Sequence, residues 1–501
     1  MRSWLRFAIA TGILGLTCAV TACDAMPATA TSDLAGHVAA DLATAGSSDL
    51  AQGAPNDLGG AVDGGSGGDV SAPAIPCTDT IANVYVTPPN LPAMTDAARG
   101  DIVRCAVDTA LDLPTVQSEV TAKGIATTMT SSVNLYRIAF RTVRGDGSAG
   151  VSTARVYLPT APATRPVPLV VIGHPTDGLA PSCAPSTDAT SNQDLALPWS
   201  GTGDAVIVPD YAGLGNEGVQ SYLDNHDQAH AILDGARALR KLLPAAASAT
   251  DVLAVGYSQG GGAVLSAQAL AAGYGLDGTL AGVIAFAPEW PTRLNSFGYV
   301  DELNNPTELT IETGISDNVV TVMRTYAYFY NRVGASDAGD AFPSAARSGI
   351  DSATMTLCQT PLGGYLQGTA PHVGDMFDPT FRTALLACIA NGDGDAGCVA
   401  PAKGWYDFLV ANFVTADPTG APILFVQGLA DPIMPPAREA ACNLAKLQAD
   451  GVTPQVCTDG PADHQTVVGR NMDFALSWAH ALAGGTALPS CSAAGLPACT
   501  P

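Results

Sequence analysis

Residues 252–270 read VLAVGYSQGGGAVLSAQAL: four apolar residues, a glycine-flanked serine, then small residues without a break. Val252 to Val255 suits a strand buried on both faces, Gly256 to Gly260 a sharp turn, and Gln259 to Ala271 a helix. The turn, Gly256-Tyr257-Ser258-Gln259-Gly260, matches G-x-S-x-G, in which glycines let strand and helix pass closely and the serine sits in strained backbone geometry. Composition supplies such matches cheaply: with 53 Gly in 501 residues, roughly 0.3 arise by chance. A second match, Gly64-Gly65-Ser66-Gly67-Gly68, does occur, with no strand leading in and no helix leading out. Context therefore singles out Ser258.

Working outward, the pattern on both sides has the same character. Pro168 to Gly173, Asp204 to Val208, Leu280 to Ala287 and Pro422 to Val426 are short apolar runs of the kind buried in a parallel sheet. Apolar residues recur at helical spacing from Asn225 to Leu243, Pro436 to Gln448 and Val467 to Leu482. Val133 to Val143 and Val151 to Leu158 alternate around Arg144-Gly145-Asp146-Gly147 and predict an antiparallel hairpin. Strand and helix in alternation imply an α/β fold with a doubly wound, mostly parallel sheet. Between about residues 291 and 420 the alternation stops. An interval that long needs structure of its own, and it reads as a largely helical cap. Within it, Val319, Val322, Met323, Tyr326, Phe329 and Tyr330 form an aromatic-rich helical stripe over Asn318 to Val333, suited either to packing on a core or to contacting substrate.

The N-terminus belongs to a different class. Arg2 and Arg6 precede an uncharged, mostly apolar stretch from Phe7 to Ala22, the length of an export signal and short for a membrane span. It ends Val20-Thr21-Ala22-Cys23, which resembles the bacterial lipobox; residues 1–22 are thus expected to be a lipoprotein signal peptide, with Cys23 carrying lipid and tethering the chain to a membrane without spanning it. Residues 23–75 are expected to be a flexible acidic linker, since Ala, Gly, Ser and Asp cannot bury enough apolar surface to offset ordering. A folded domain is expected over 76–501. The net charge of −24 excludes nucleic acid as a partner, whose phosphates need a basic face. Setting aside Cys18 and Cys23, ten cysteines remain, an even number in an exported chain, which allows up to five disulfides. No C-x-x-C spacing pairs with histidine, so neither a metal nor a cofactor is called for.

A serine hydroxyl needs a histidine to take its proton, and that histidine needs an acid to fix its tautomer. Asp431 follows the apolar run Phe425-Val426 in the loop past the penultimate strand, and His464 lies 33 positions later, just before the last helix. The order Ser258, Asp431, His464 is that of strand-elbow hydrolases. Asp463 is the rival acid, poorly placed because it adjoins the histidine. His174, in Gly173-His174-Pro175-Thr176-Asp177-Gly178, reads as shaping the loop where a second oxyanion donor originates. His226 and His230, four apart at a helix start, read as a solvated face, His480 as a packing residue, and His372 falls in the cap.

Taken together, Asp177 with Cys183-Ala184-Pro185-Ser186, Val208-Pro209-Asp210-Tyr211 with Gly213, Ile232-Leu233-Asp234-Gly235-Ala236-Arg237, the elbow and the Asp431 and His464 loops resemble the secretory lipase family of α/β-hydrolases, the group of the fungal lipase A enzymes and bacterial relatives. The resemblance implies Ser258, Asp431 and His464 as a catalytic triad, backbone N–H groups of Asp177 and Gln259 as the oxyanion hole, and cleavage of carboxylic esters such as acylglycerols through an acyl-enzyme. Gln259 stands where the lipase A enzymes carry Gly, which keeps the backbone donor and alters the pocket floor. The resemblance also implies that Cys183 reaches a cysteine of the cap, for which Cys358 is the candidate; Cys442 and Cys457 are further disulfide candidates. Two other functions share these residues: a secreted peptidase on the same triad, favoured by an acidic pocket, and a surface-binding lipoprotein without catalysis.

Overall fold

The computed structural model describes residues 70–500 apart from 162–167, 189, 245–250, 297–316, 335–336 and 371. The expected signal peptide, Cys23, His37, Ser66 and most of the expected linker lie outside the described residues.

The sheet contains nine strands: β1 (Ile102–Leu111), β2 (Val133–Val143), β3 (Ala149–Pro159), β4 (Leu169–Gly173), β5 (Val206–Pro209), β6 (Asp251–Tyr257), β7 (Thr279–Phe286), β8 (Ile423–Gly428) and β9 (Gln455–Asp459). Their order is β1-β2-β3-β5-β4-β6-β7-β8-β9. β1, β2 and β3 pair antiparallel, β3 meets β5 antiparallel, and β5 through β9 run parallel. The expected hairpin is β2–β3, in register from Val133↔Pro159 to Val143↔Ala149.

Among the described residues the longer helices are α1 (Leu113–Ala122), α2 (Gln193–Gly201), α3 (Asn225–Leu242), α4 (Gln259–Tyr274), α5 (Asp317–Tyr328), α6 (Ser344–Thr354), α7 (Gln359–Thr369), α8 (Pro379–Asn391), α9 (Ala402–Ala411), α10 (Ala440–Ala449) and α11 (Val467–Ala483). Central strands are apolar at nearly every position because each face is covered. Leu169 and Val171 of β4, Val252 and Ala254 of β6, pack with α3 and α4 in one core. Val170 and Ile172, Leu253 and Val255 point the other way, against α2 and α11, in a second. The period-2 side-chain alternation thus distributes one continuous apolar run between two cores, each buried Val, Leu or Ile contributing about 1.5–3 kcal/mol.

Between β7 and β8, helices α5 to α9 enclose a third core, to which Leu179, Val219, Tyr222 and Leu223 of the sheet domain also contribute. The aromatic stripe belongs to it: Met323, Tyr326 and Phe329 are fully buried there, beside Phe342, Phe381 and Trp405, so the stripe packs instead of facing a ligand. α10 starts at Ala440, four residues later than expected, because Pro435 and Pro436 hold the preceding chain in a turn. All ten cysteines from Cys77 onward are bonded: Cys77–Cys105, Cys183–Cys358, Cys388–Cys398, Cys442–Cys499 and Cys457–Cys491. Among the described residues no helix is long and apolar enough to cross a membrane.

Candidate active site

β6 delivers Ser258 at its C-terminal end, between two buried parallel neighbours, and α4 begins at the next residue. Ser258 has φ 55° and ψ −120°, a backbone conformation that costs on the order of 1–3 kcal/mol in a non-glycine residue. Three hydrogen bonds hold it there: its N–H donates to Phe286 O at 3.0 Å, and its carbonyl accepts from Glu289 N at 2.9 Å and Gly262 N at 3.1 Å. The glycines around it answer to backbone proximity. A Cβ on Gly256 would lie 2.0 Å from Gly260 O, and one on Gly260 1.9 Å from Gly173 O.

His464 lies in the turn between β9 and α11. Its Nε2 is 3.0 Å from Ser258 Oγ and its Nδ1 2.7 Å from Asp431 Oδ2. Asp431 follows β8, fully buried at its side chain; Oδ1 accepts from the N–H groups of Ile433 (2.9 Å) and Met434 (2.8 Å), which leaves Oδ2 for the imidazole. A carboxylate on Nδ1 fixes the Nδ1–H tautomer and leaves Nε2 to accept from the serine. Tyr257 donates its hydroxyl to His464 O at 2.7 Å, and its ring lies 4.9 Å from the imidazole. Burial, reinforced by the charge on Asp431, pushes the Tyr257 phenol far above its ordinary range, so it remains a donor. Asp463 instead turns to Thr466 in the turn before α11, accepting from Thr466 N (2.9 Å) and Thr466 Oγ1 (2.6 Å). The structure thus brings Asp431, and not Asp463, to the histidine.

Asp177 lies in the loop after β4 and lines the same cavity as Ser258, His464, Tyr257, Glu289 and Gln359. The cavity encloses about 140 Å³. Gln259 opens α4, where a backbone N–H has no acceptor within the helix and the helix dipole favours negative charge. His174 is fully buried, its Nδ1 2.6 Å from Pro175 O and 3.0 Å from Asp177 Oδ2, so it shapes this loop. Burial opposes protonation of His174, but Asp177 and Asp210 outweigh it and raise its pKa.

The other histidines stand apart. His230 leaves the solvated face expected of it: its ring stacks on Tyr274 at 4.0 Å and Nδ1 sits 3.0 Å from Val143 O, because α3 packs that side against α4 and β2. His372 pairs with Asp375 at 2.9 Å, and His480 is half-buried on α11. Among the described residues no group of three His, Cys, Asp or Glu side chains converges as a metal site would.

Two cavity residues escaped the sequence reading. Glu289 is buried three positions past β7 and accepts from the Tyr222 hydroxyl at 3.3 Å, which in turn is 2.9 Å from Thr176 Oγ1. Its place beyond a parallel strand's carboxyl end was the available signal. Gln359, at the start of α7, comes from the insertion and had none.

Residues 190–291, from just before α2 to just past β7, match the secretory lipase family model. The match covers 102 of the 501 residues. The matched segment holds Ser258 and Gln259 of the site; Asp177, Asp431 and His464 lie outside it. The fold of the chain is that of the α/β-hydrolases. It is similar to the ligand-bound rice cell wall degrading esterase LipA of Xanthomonas oryzae (18% identity, 77% of this chain and 97% of that one, TM-score 0.58). It is similar also to Candida antarctica lipase A in its closed state (17% identity, 85% and 91%, TM-score 0.58) and to a putative hydrolase of Legionella pneumophila (17%, 77% and 97%, TM-score 0.57). No curated protein sequence matches the chain. The five disulfides accord with an oxidising, extracytoplasmic compartment.

Proposed function

We propose that the enzyme cleaves acylglycerols or similar acyl esters through an acyl-enzyme on Ser258. The supporting observation is the continuous relay from Ser258 Oγ to His464 Nε2 (3.0 Å) and from His464 Nδ1 to Asp431 Oδ2 (2.7 Å), at a strained elbow. Ser258 Oγ attacks the ester carbonyl carbon as its proton passes to His464 Nε2. The charge on the tetrahedral oxygen is met by the N–H groups of Asp177 and Gln259. The intermediate collapses, the C–O bond to the alcohol breaks, and His464 returns the proton to the leaving alkoxide. Water then loses a proton to His464 and attacks the acyl carbon; collapse breaks the bond to Ser258 Oγ, which takes the proton back from His464 Nε2 as the acid leaves. Asp431 keeps the imidazole oriented and stabilises its cationic form throughout.

In this reading the helical insertion over residues 291–420 is a cap, and lipid on Cys23 would hold the enzyme at a bacterial membrane surface through the 23–75 linker. A fluorophosphonate probe tests the chemistry: wild type should be labelled and Ser258→Ala should not. Equal labelling of both would sink the assignment, and no labelling of correctly folded wild type would revive the non-catalytic lipoprotein.

Glu289 in the cavity favours a second reading, a peptidase in which the carboxylate receives a substrate amine. Comparing p-nitrophenyl esters with aminoacyl p-nitroanilides separates the two, since the ester reading requires turnover of the former to dominate.

A further inference from the structure

The loop that carries Asp177 is not held by the sheet domain alone. On the sheet side, His174 Nδ1 contacts Pro175 O and Asp177 Oδ2, Tyr211 donates to His174 O at 3.2 Å, and Thr176 meets the Tyr222 hydroxyl. The other anchors come from the insertion. Gln359 N donates to Asp177 O at 2.8 Å, Gly178 and Cys358 form an isolated antiparallel bridge, and Cys358 is bonded to Cys183, 175 positions away in sequence. Cys358 is the N-cap of α7 and Gln359 its first residue, so the same helix start that lines the cavity also grips the loop on both sides of the Asp177–Gly178 peptide. The fit leaves no slack. Gly178 has φ +136°, and a Cβ on it would lie 3.0 Å from Cys183 Sγ and 3.1 Å from Cys358 Cα.

We propose that Cys183, Cys358 and Gly178 are positioning residues for ester hydrolysis: through them the start of α7 sets the Asp177 N–H against the carbonyl oxygen of the reacting ester. Transition-state donors act only when preorganised, and displacements of about 1 Å cost about 100-fold in rate. A cross-link that merely stabilised the fold would be indifferent to this geometry. The proposal rests on the reading of Asp177 as an oxyanion donor and extends it: the insertion is part of the catalytic framework as well as a cover.

The test is steady-state hydrolysis of p-nitrophenyl butyrate by four full-length proteins: wild type, Cys183→Ser/Cys358→Ser, Gly178→Ala, and Cys388→Ser/Cys398→Ser, which removes the other disulfide involving the insertion. We expect the Cys183/Cys358 variant to lose about 10- to 100-fold in kcat with KM within about twofold, because one donor is loosened and not removed. Gly178→Ala should lose kcat in the same sense with the Cys183–Cys358 bond intact by mass spectrometry. The Cys388/Cys398 variant should melt earlier yet keep kcat. Unchanged kcat in the Cys183/Cys358 variant would overturn the proposal, as would unchanged kcat in Gly178→Ala, which decides the matter if the double variant does not fold. Failure of the underlying reading looks different: wild type would then escape the fluorophosphonate probe, or Ser258→Ala would retain butyrate hydrolysis.

Discussion

Replacing Gly260 by alanine puts the elbow to a quantitative test. Gly260 is the second residue of α4 and crosses Gly173 at the end of β4, where an added Cβ would lie 1.9 Å from Gly173 O and 2.2 Å from Gly173 C. Restoring ordinary contact requires the two backbones to part by roughly 1.5 Å. β4 cannot yield, since Gly173 is in register with Gly256 of β6 in the middle of the sheet. α4 must move instead, carrying the Gln259 N–H and dragging on Ser258. Overpacking against backbone falls at the upper end of the usual range, about 3 kcal/mol. With an unfolding entropy on the order of 0.9 kcal/mol per kelvin for a domain of this size, the melting temperature should fall by about 3 °C. A shift of about 1 Å at the reacting atoms should lower kcat about 100-fold, with a smaller effect on KM. Gly273→Ala is the internal control in the same helix: no atom lies within 4 Å of its Cβ position, so helix propensity should raise stability by about 0.5–1 kcal/mol and leave kcat unchanged. Thermal melts and p-nitrophenyl ester kinetics read both. A Gly260→Ala enzyme that melts with wild type and keeps its kcat would refute the argument that close backbone passage dictates the glycine.

Two other perturbations bear on separate parts of the molecule. Asp431→Asn should lower kcat by about 10⁴-fold through loss of the required histidine tautomer, whereas Asp463→Asn should stay near wild-type kcat and cost about 1 kcal/mol for the hydrogen bonds it accepts from Thr466; equal losses in the two, measured by ester kinetics, would mean the acid is misassigned. Cys457→Ser/Cys491→Ser opens a link spanning 34 positions and should cost about 4 kcal/mol in denaturant unfolding, with the specific activity of the folded enzyme retained.

The central strands were legible because burial on both faces selects apolar residues along nearly their whole length, and the major helices because a one-sided interface imposes the 3.6-residue period. β1 escaped for the complementary reason. It is an edge strand of mixed exposure, interrupted by irregular pairing with β2, and carries no clean alternation. α2 escaped because Pro198 sits inside it and nearly all of its residues are buried, which leaves no polar face to mark a period. His230 was misjudged because a histidine on a helix start looks the same whether solvent or Tyr274 lies opposite.

By itself the sequence determined what is local: the elbow at Ser258, the run of parallel strands, the excess of cysteine over any free-thiol role, and the order in which serine, acid and histidine arrive. The tertiary structure alone decided what converges. Asp463 adjoins His464 in the chain and Asp431 lies 33 positions before it, but β8 and β9 lie side by side, and that adjacency carries the Asp431 loop to the imidazole while Asp463 turns to Thr466. Likewise Cys358 and Gln359 are 100 positions beyond the elbow in sequence, and only the packing of the insertion on the sheet domain sets them beside Asp177. Periodicity records which faces of an element are buried, whereas partners across a sheet follow from strand order and loop path, which no local pattern encodes.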